Sequence, residues 1–78
     1  MTRRGKLLAK ARQAPNGLSF AEFETLLKQL GFVFKRQSGS HRVWMSPDGR
    51  ALPVQSDGTK AKAYQVRQAL RLVEPQDG

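Results

Sequence analysis

The stretch LSFAEFETLLKQLG, residues 18–31, constrains this chain more than any other, because it specifies both ends of a helix and the face it must bury. Ser19 and Glu22 have the S-x-x-E spacing of a capping box, in which each side chain accepts a hydrogen bond from the other residue's free backbone N–H. Leu18, just before the cap, is placed to staple onto Phe23 one turn later. Phe20, Phe23, Leu26, Leu27 and Leu30 recur at helical spacing and form one broad apolar face. Glu22 and Glu24 lie toward the positive end of the helix dipole and Lys28 toward the negative end. Gly31 supplies a left-handed cap, over which Phe32 can fold back onto the last turn. Such a face requires a second layer to cover it.

Beyond Gly31 the apolar period shortens to two. FVFKRQ, residues 32–37, alternates with Phe32 and Phe34 on one face and Val33 and Lys35 on the other. The small residues Ser38, Gly39 and Ser40 turn the chain. HRVWMS, residues 41–46, alternates again, and the pattern is read with Val43 and Met45 turned inward and Arg42 and Trp44 outward. Pro47-Asp48-Gly49 is a strong turn signal between antiparallel neighbours. In RALPVQ, residues 50–55, Leu52 and Val54 share a face, and Pro53 argues that this strand is an edge or ends there.

After a loop at Ser56-Asp57-Gly58, a last helix is expected from Thr59 or Ala61 to Val73. Ala63, Val66, Leu70 and Val73 make its buried stripe, with Lys60, Tyr64, Arg67 and Arg71 on the other side. Pro75 ends it, leaving a short tail at 74–78. At the front of the chain, residues 2–13 read as a short basic helix with Leu7, Leu8 and Ala11 on one face, stopped by Pro15 and the Asn16-Gly17 turn. It lies on the domain or frays from it. The expected fold is α+β: a single domain over 1–78, with a helix–three strands–helix core at 18–73. Its three-stranded antiparallel sheet carries helices on one face, and an extra N-terminal helix precedes it.

Fourteen Lys and Arg against six Asp and Glu leave a formal charge of +8 on 78 residues. A domain so charged repels itself, and a polyanion or acidic protein relieves the repulsion. Nucleic acid, an anionic membrane surface and an acidic partner protein all qualify. With no cysteine there is neither a disulfide framework nor a thiolate metal site. The apolar runs are too short for a transmembrane helix or a signal-peptide core, so a soluble, cytoplasmic protein is expected.

The chain holds one histidine and no carboxylate cluster, so neither a metal nor a cofactor is expected. Asp48 and Asp57 stand in glycine turns, where an aspartate commonly bonds the local backbone. His41 is the one side chain suited to proton transfer near neutral pH. RNA carries its own nucleophile in the 2′-hydroxyl. A protein need only deprotonate it, stabilise the charge growing on phosphorus and help the leaving oxygen. Lys35, Arg36 and Arg42 flank the turn that bears His41. Gly39 permits close approach of a phosphate, and the Ser40 hydroxyl can donate to it. From the residues alone two readings of His41 stand, a reactive group or a polar residue opening a strand. Trp44 is likewise either a packed aromatic or a stacking platform for a base. Lys60, Tyr64, Arg67 and Arg71 are a solvated helix face or a second surface for RNA or a partner protein.

Gly31-Phe32, Arg36-Gln37-Ser38-Gly39-Ser40-His41, Pro47-Asp48-Gly49 and Pro53-Val54 together resemble the HicA family of toxins, and the resemblance spans roughly Leu18 to Val73. It implies a double-stranded-RNA-binding-domain-like fold and a ribonuclease that cleaves mRNA. It also implies that the histidine of the GSH motif, here His41, is catalytic, and that a HicB-type antitoxin neutralises the toxin. Many relatives place a second histidine after the Pro-Val strand end, where this chain has Gln55. An amide does not exchange protons at neutral pH, so Lys35, Arg36 or water has to assist the leaving group. Against this stand a non-catalytic RNA-binding module of the same fold, recognising RNA by shape and phosphates, and an adaptor for an acidic protein.

Overall fold

The computed structural model describes residues 3–73, with side chains from residue 5; Thr2 and the tail expected at 74–78 lie outside the described residues. Helix α1 (Arg3–Gln13) leads through a 3-10 turn (Pro15–Gly17) to α2 (Phe20–Gln29). Strands β1 (Val33–Ser38), β2 (His41–Met45) and β3 (Ala51–Val54) follow. A small hairpin, β4 (Ser56–Asp57) and β5 (Lys60–Ala61), precedes α3 (Ala63–Val73). The fold is α+β, a three-stranded antiparallel sheet in the order β1-β2-β3 with helices before and after it, consistent with the double-stranded-RNA-binding-domain-like arrangement.

Helix α2 forms as its ends dictate. Ser19 Oγ accepts from the Glu22 N–H at 3.1 Å, and Glu22 Oε1 accepts from the Ser19 N–H at 3.0 Å. At the other end Gly31 has φ +95°, its N–H donates to the Lys28 carbonyl at 3.1 Å, and the Phe32 N–H donates to the Leu27 carbonyl at 2.9 Å. These two bonds are a Schellman motif, which satisfies carbonyls the helix would leave unpaired. A Cβ on Gly31 would also lie 3.1 Å from Pro47 Cγ, so the turn after β2 packs directly on this cap. Phe23, Leu26 and Leu27 are fully buried, and Phe32 nearly so.

The strand register corrects the inner and outer assignment of β2. Phe34 pairs with Trp44 and Trp44 with Leu52, while Arg42 pairs with Val54. Directly opposed residues share a face, so Phe34, Arg42, Trp44, Leu52 and Val54 lie on one side. Trp44 is 1% exposed, and Leu52 and Val54 are fully buried, so this is the core side. Val43 and Met45, expected inside, are half-buried on the open side, beside Val33, Ala51 and Pro53. The physical reason is area. The indole is the largest apolar surface on β2, and it packs edge-on to Phe34 with ring centroids 5.6 Å apart. In β1 the register slips between Phe34 and Arg36, which makes Lys35 a bulge residue. β3 is an edge strand, as Pro53 requires.

Helix α1 lies on the core. Ala11 is fully buried, Leu7 and Leu8 pack partly buried against the core cluster, and Lys10 Nζ meets the Glu22 carboxylate at 3.2 Å. The last helix starts later than expected. Lys60 and Ala61 are in the β4–β5 hairpin, tied down where the Phe20 N–H donates to the Thr59 carbonyl at 2.8 Å and the Ala61 N–H to that of Leu18 at 3.1 Å. The buried stripe of α3 is Gln65, Val66, Ala69 and Leu70; Ala63 and Val73 are only half-buried. No helix among the described residues is long and apolar enough to cross a membrane.

Candidate nucleic-acid interface

The β1–β2 hairpin closes through a two-residue loop, Gly39-Ser40, between the paired residues Ser38 and His41. Gly39 has φ +61° and Ser40 does not share its positive φ, which is the glycine-first pattern of a II′ hairpin turn. Nothing lies within 4 Å of a Cβ built on Gly39, so the glycine is there for its backbone angle and leaves the turn open to an approaching group. The Gln37 Nε2 donates to the Gly39 carbonyl at 3.2 Å across the base of the turn.

Alternation along β2 sets His41 on the open face with Val43 and Met45, opposite the Trp44 side. Ser38 pairs with His41 and Arg36 with Val43, so Arg36, Ser38 and His41 share that face, all of them exposed. Lys35 is exposed at the bulge. Gln55 lies one residue past Val54, where the ladder with β2 has ended. Its Nε2 donates to Ser40 Oγ at 3.1 Å, and its own N–H donates to Gln65 Oε1 at 3.0 Å. Thus the structure gathers His41, Arg36, Gly39, Ser40 and Gln55 at one end of the sheet.

Two of the expected contact residues stand elsewhere. Trp44 is enclosed in the core, so it offers no face to a base. Arg42 lies on the helix side of the sheet, where its Nε donates to Glu24 Oε2 and its guanidinium sits 4.5 Å from the centroid of the Phe34 ring. Its Nη1 donates to Gln37 Oε1 at 3.3 Å, so its donors serve the hairpin and α2 instead of the open face. The second surface is also divided. Arg67 and Arg71 meet Arg12 and Leu70 around a shallow cleft of about 260 Å³, Tyr64 is 58% exposed near the start of α3, and Lys60 belongs to the β5 hairpin.

Asp48 has a local role, but its main hydrogen bonds run to neighbouring side chains and not, as expected, to the backbone. It accepts from Ser46 Oγ and from Arg50 Nε at 2.9 Å, while the Arg50 N–H donates to Ser46 Oγ at 2.9 Å. The Arg50 bonds first, then that from Ser46, hold its carboxyl below the ordinary range. Among the described residues no three histidine or carboxylate side chains come together as metal ligands would. Gln65 is the residue that sequence reasoning missed. Its signal was a polar side chain beside Val66 on the buried stripe of α3, where an amide needs a partner.

The fold and site are those of a small, strongly basic α+β domain that presents one exposed histidine beside a glycine hairpin turn. Residues 20–74 match the family model described as HicA toxin of bacterial toxin–antitoxin, and the chain belongs to that family. It is therefore a toxin of a toxin–antitoxin system, from a family that in general acts on RNA and is held by an antitoxin. No curated protein and no solved structure matches the chain.

Proposed function

We propose that this protein is a metal-independent endoribonuclease that cleaves mRNA in the cytoplasm, with His41 as its catalytic residue and a HicB-type antitoxin as its inhibitor. The observation that carries the reading is the position of His41. It is exposed on the open face at the tip of a glycine hairpin, with the guanidinium-bearing Arg36 on the same face and the Ser40 hydroxyl beside it. The imidazole takes the proton of a 2′-hydroxyl, the 2′-oxygen bonds to the adjacent phosphorus, and the bond from phosphorus to the 5′-oxygen breaks. The products are a 2′,3′-cyclic phosphate and a 5′-hydroxyl, the latter protonated by water or by Lys35. Arg36, the Gly39 backbone and Ser40 hold the phosphate oxygens as charge grows on them. Arg42 and Trp44 act through the fold alone.

Cleavage of RNA by the wild type and by His41→Ala, with chelator present, tests this. Chelator-resistant cleavage that His41→Ala abolishes is expected, together with growth arrest by the wild type alone. Gln55, hydrogen-bonded to Ser40 in the turn before His41, favours one rival, a non-catalytic RNA-binding module, because an amide supplies no second proton-transfer group. RNA binding that weakens steeply with salt, without cleavage at any pH, decides for that rival.

A further inference from the structure

We infer that Gln55 and Gln65 form a brace that holds Ser40 in place as a hydrogen-bond donor to the scissile phosphate, so that both are positioning residues of the site. The consequence for rate rests on the ribonuclease reading above; the brace itself rests on three contacts.

β3 ends at Val54, and the next backbone N–H, that of Gln55, has left the ladder. It is taken up by Gln65 Oε1 at 3.0 Å, a side chain of α3 that is only 4% exposed. Gln65 Nε2 in turn donates to Tyr64 Oη at 3.3 Å, so the buried amide has partners at both ends. This pins the Gln55 backbone to the last helix. From there Gln55 Nε2 reaches Ser40 Oγ at 3.1 Å, fifteen residues away in sequence and in the exposed turn before His41. That turn contains Gly39, the residue type least able to fix its own backbone. A tie to α3 through Gln55 supplies the constraint the turn lacks.

The direction of the last bond matters chemically. A hydroxyl has one proton to give and two lone pairs. Because Gln55 donates, Ser40 accepts, and its proton is left to point outward. A phosphate oxygen only accepts, so a serine held this way meets it as a donor next to the imidazole of His41. Had position 55 carried an acceptor only, the serine proton would have been consumed inside the protein.

The test uses the full chain with Gln55→Ala, Gln55→Asn, Ser40→Ala and the Gln55→Ala/Ser40→Ala double variant. RNA cleavage kinetics, Tm and 15N relaxation of the 39–41 amides are measured on each. One neutral hydrogen bond corresponds to about a two- to tenfold change. Each single variant is expected to lower kcat by that factor with KM and Tm unchanged. Gln55→Asn, one methylene too short, is expected to behave as Gln55→Ala, and the double variant to be no slower than Ser40→Ala. Unchanged kcat in Gln55→Ala, or losses that multiply in the double variant, overturns the proposal. If the wild type cleaves no RNA, the ribonuclease reading falls and the relaxation data decide the brace. Lower amide order at 39–41 in Gln55→Ala upholds it, and unchanged order overturns it.

Discussion

His41 and Trp44 stand three residues apart on β2, an odd separation that turns them to opposite faces of the sheet. Their substitutions must therefore fail in different ways. Trp44 is 1% exposed, and truncating so large a buried ring costs about 3–5 kcal/mol, a large part of the ~5–15 kcal/mol that stabilises a typical domain. Trp44→Ala is expected to unfold at far lower denaturant than the wild type, and any loss of RNA binding then follows from lost fold. Trp44→Phe keeps the ring against Phe34 and removes an indole N–H that is buried without a partner among the described residues. Relief of that unpaired donor offsets part of the lost area, so Trp44→Phe is expected to retain most of the stability in the same denaturation experiment. His41→Ala, at an exposed position, is expected to move stability by no more than about 0.5 kcal/mol. A stable, inactive His41→Ala beside a strongly destabilised Trp44→Ala separates chemistry from packing.

The elements differ in how much of their structure is written locally. α2 carries its own boundaries: Ser19→Ala is expected to cost about 1 kcal/mol through the lost cap. Gly31→Ala is expected to cost about 1–2 kcal/mol, because φ +95° is strained for any side chain, with the approach to Pro47 adding to it. Glu22 adds a pH dependence. The Ser19 N–H, and after it the Lys10 ammonium, hold its carboxyl below the ordinary 4.5. A carboxyl depressed in the folded state stabilises fully above its unfolded pKa, and that contribution is lost as pH falls through the folded value. Asp48, depressed by Arg50 and Ser46, works in the same direction. Tm is therefore expected to decline on acidification below the ordinary carboxylate range, and Glu22→Gln, which keeps an acceptor and loses the charge, to decline less. Caps such as these were legible because each bond spans three to five residues. The phase of β2 was not, because a period of two names two faces and leaves open which one is buried. That choice is made by the pairing of Trp44 with Phe34 and Leu52, partners set by strand register. The same holds for Lys60, drawn off the helix by a hairpin that leans on the start of α2. The histidine turn was legible from its residues, whereas the Gln65–Gln55–Ser40 path needed three elements brought together.

For the whole molecule the dominant quantity is charge, +8 in 78 residues, but not all of it faces one ligand. At physiological salt the Debye length is about 8 Å, so a cation acts strongly only on phosphates close to it. Arg36 shares the open face with His41, whereas Arg67 and Arg71 line a cleft with Arg12 where α1 meets α3. Two kinds of contribution follow. Arg36→Gln removes a cation from the face that carries His41, where the proposed reaction puts the phosphate, and is expected to lower kcat. It is also expected to reduce the slope of log K against log salt by about 0.7, the release expected for one single-strand phosphate contact. Arg67→Gln with Arg71→Gln removes twice the charge away from the reacting atoms. It is expected to weaken RNA association at low salt while leaving kcat at saturating RNA unchanged, because it takes nothing from the transition state that it does not also take from the bound ground state. Titrating both variants with RNA across a salt series, and measuring single-turnover cleavage at saturation, reads the two effects separately. A kcat loss in the α3 double variant equal to that of Arg36→Gln would mean that the RNA path crosses from the open sheet face onto α3 and that the reactive site extends beyond the hairpin.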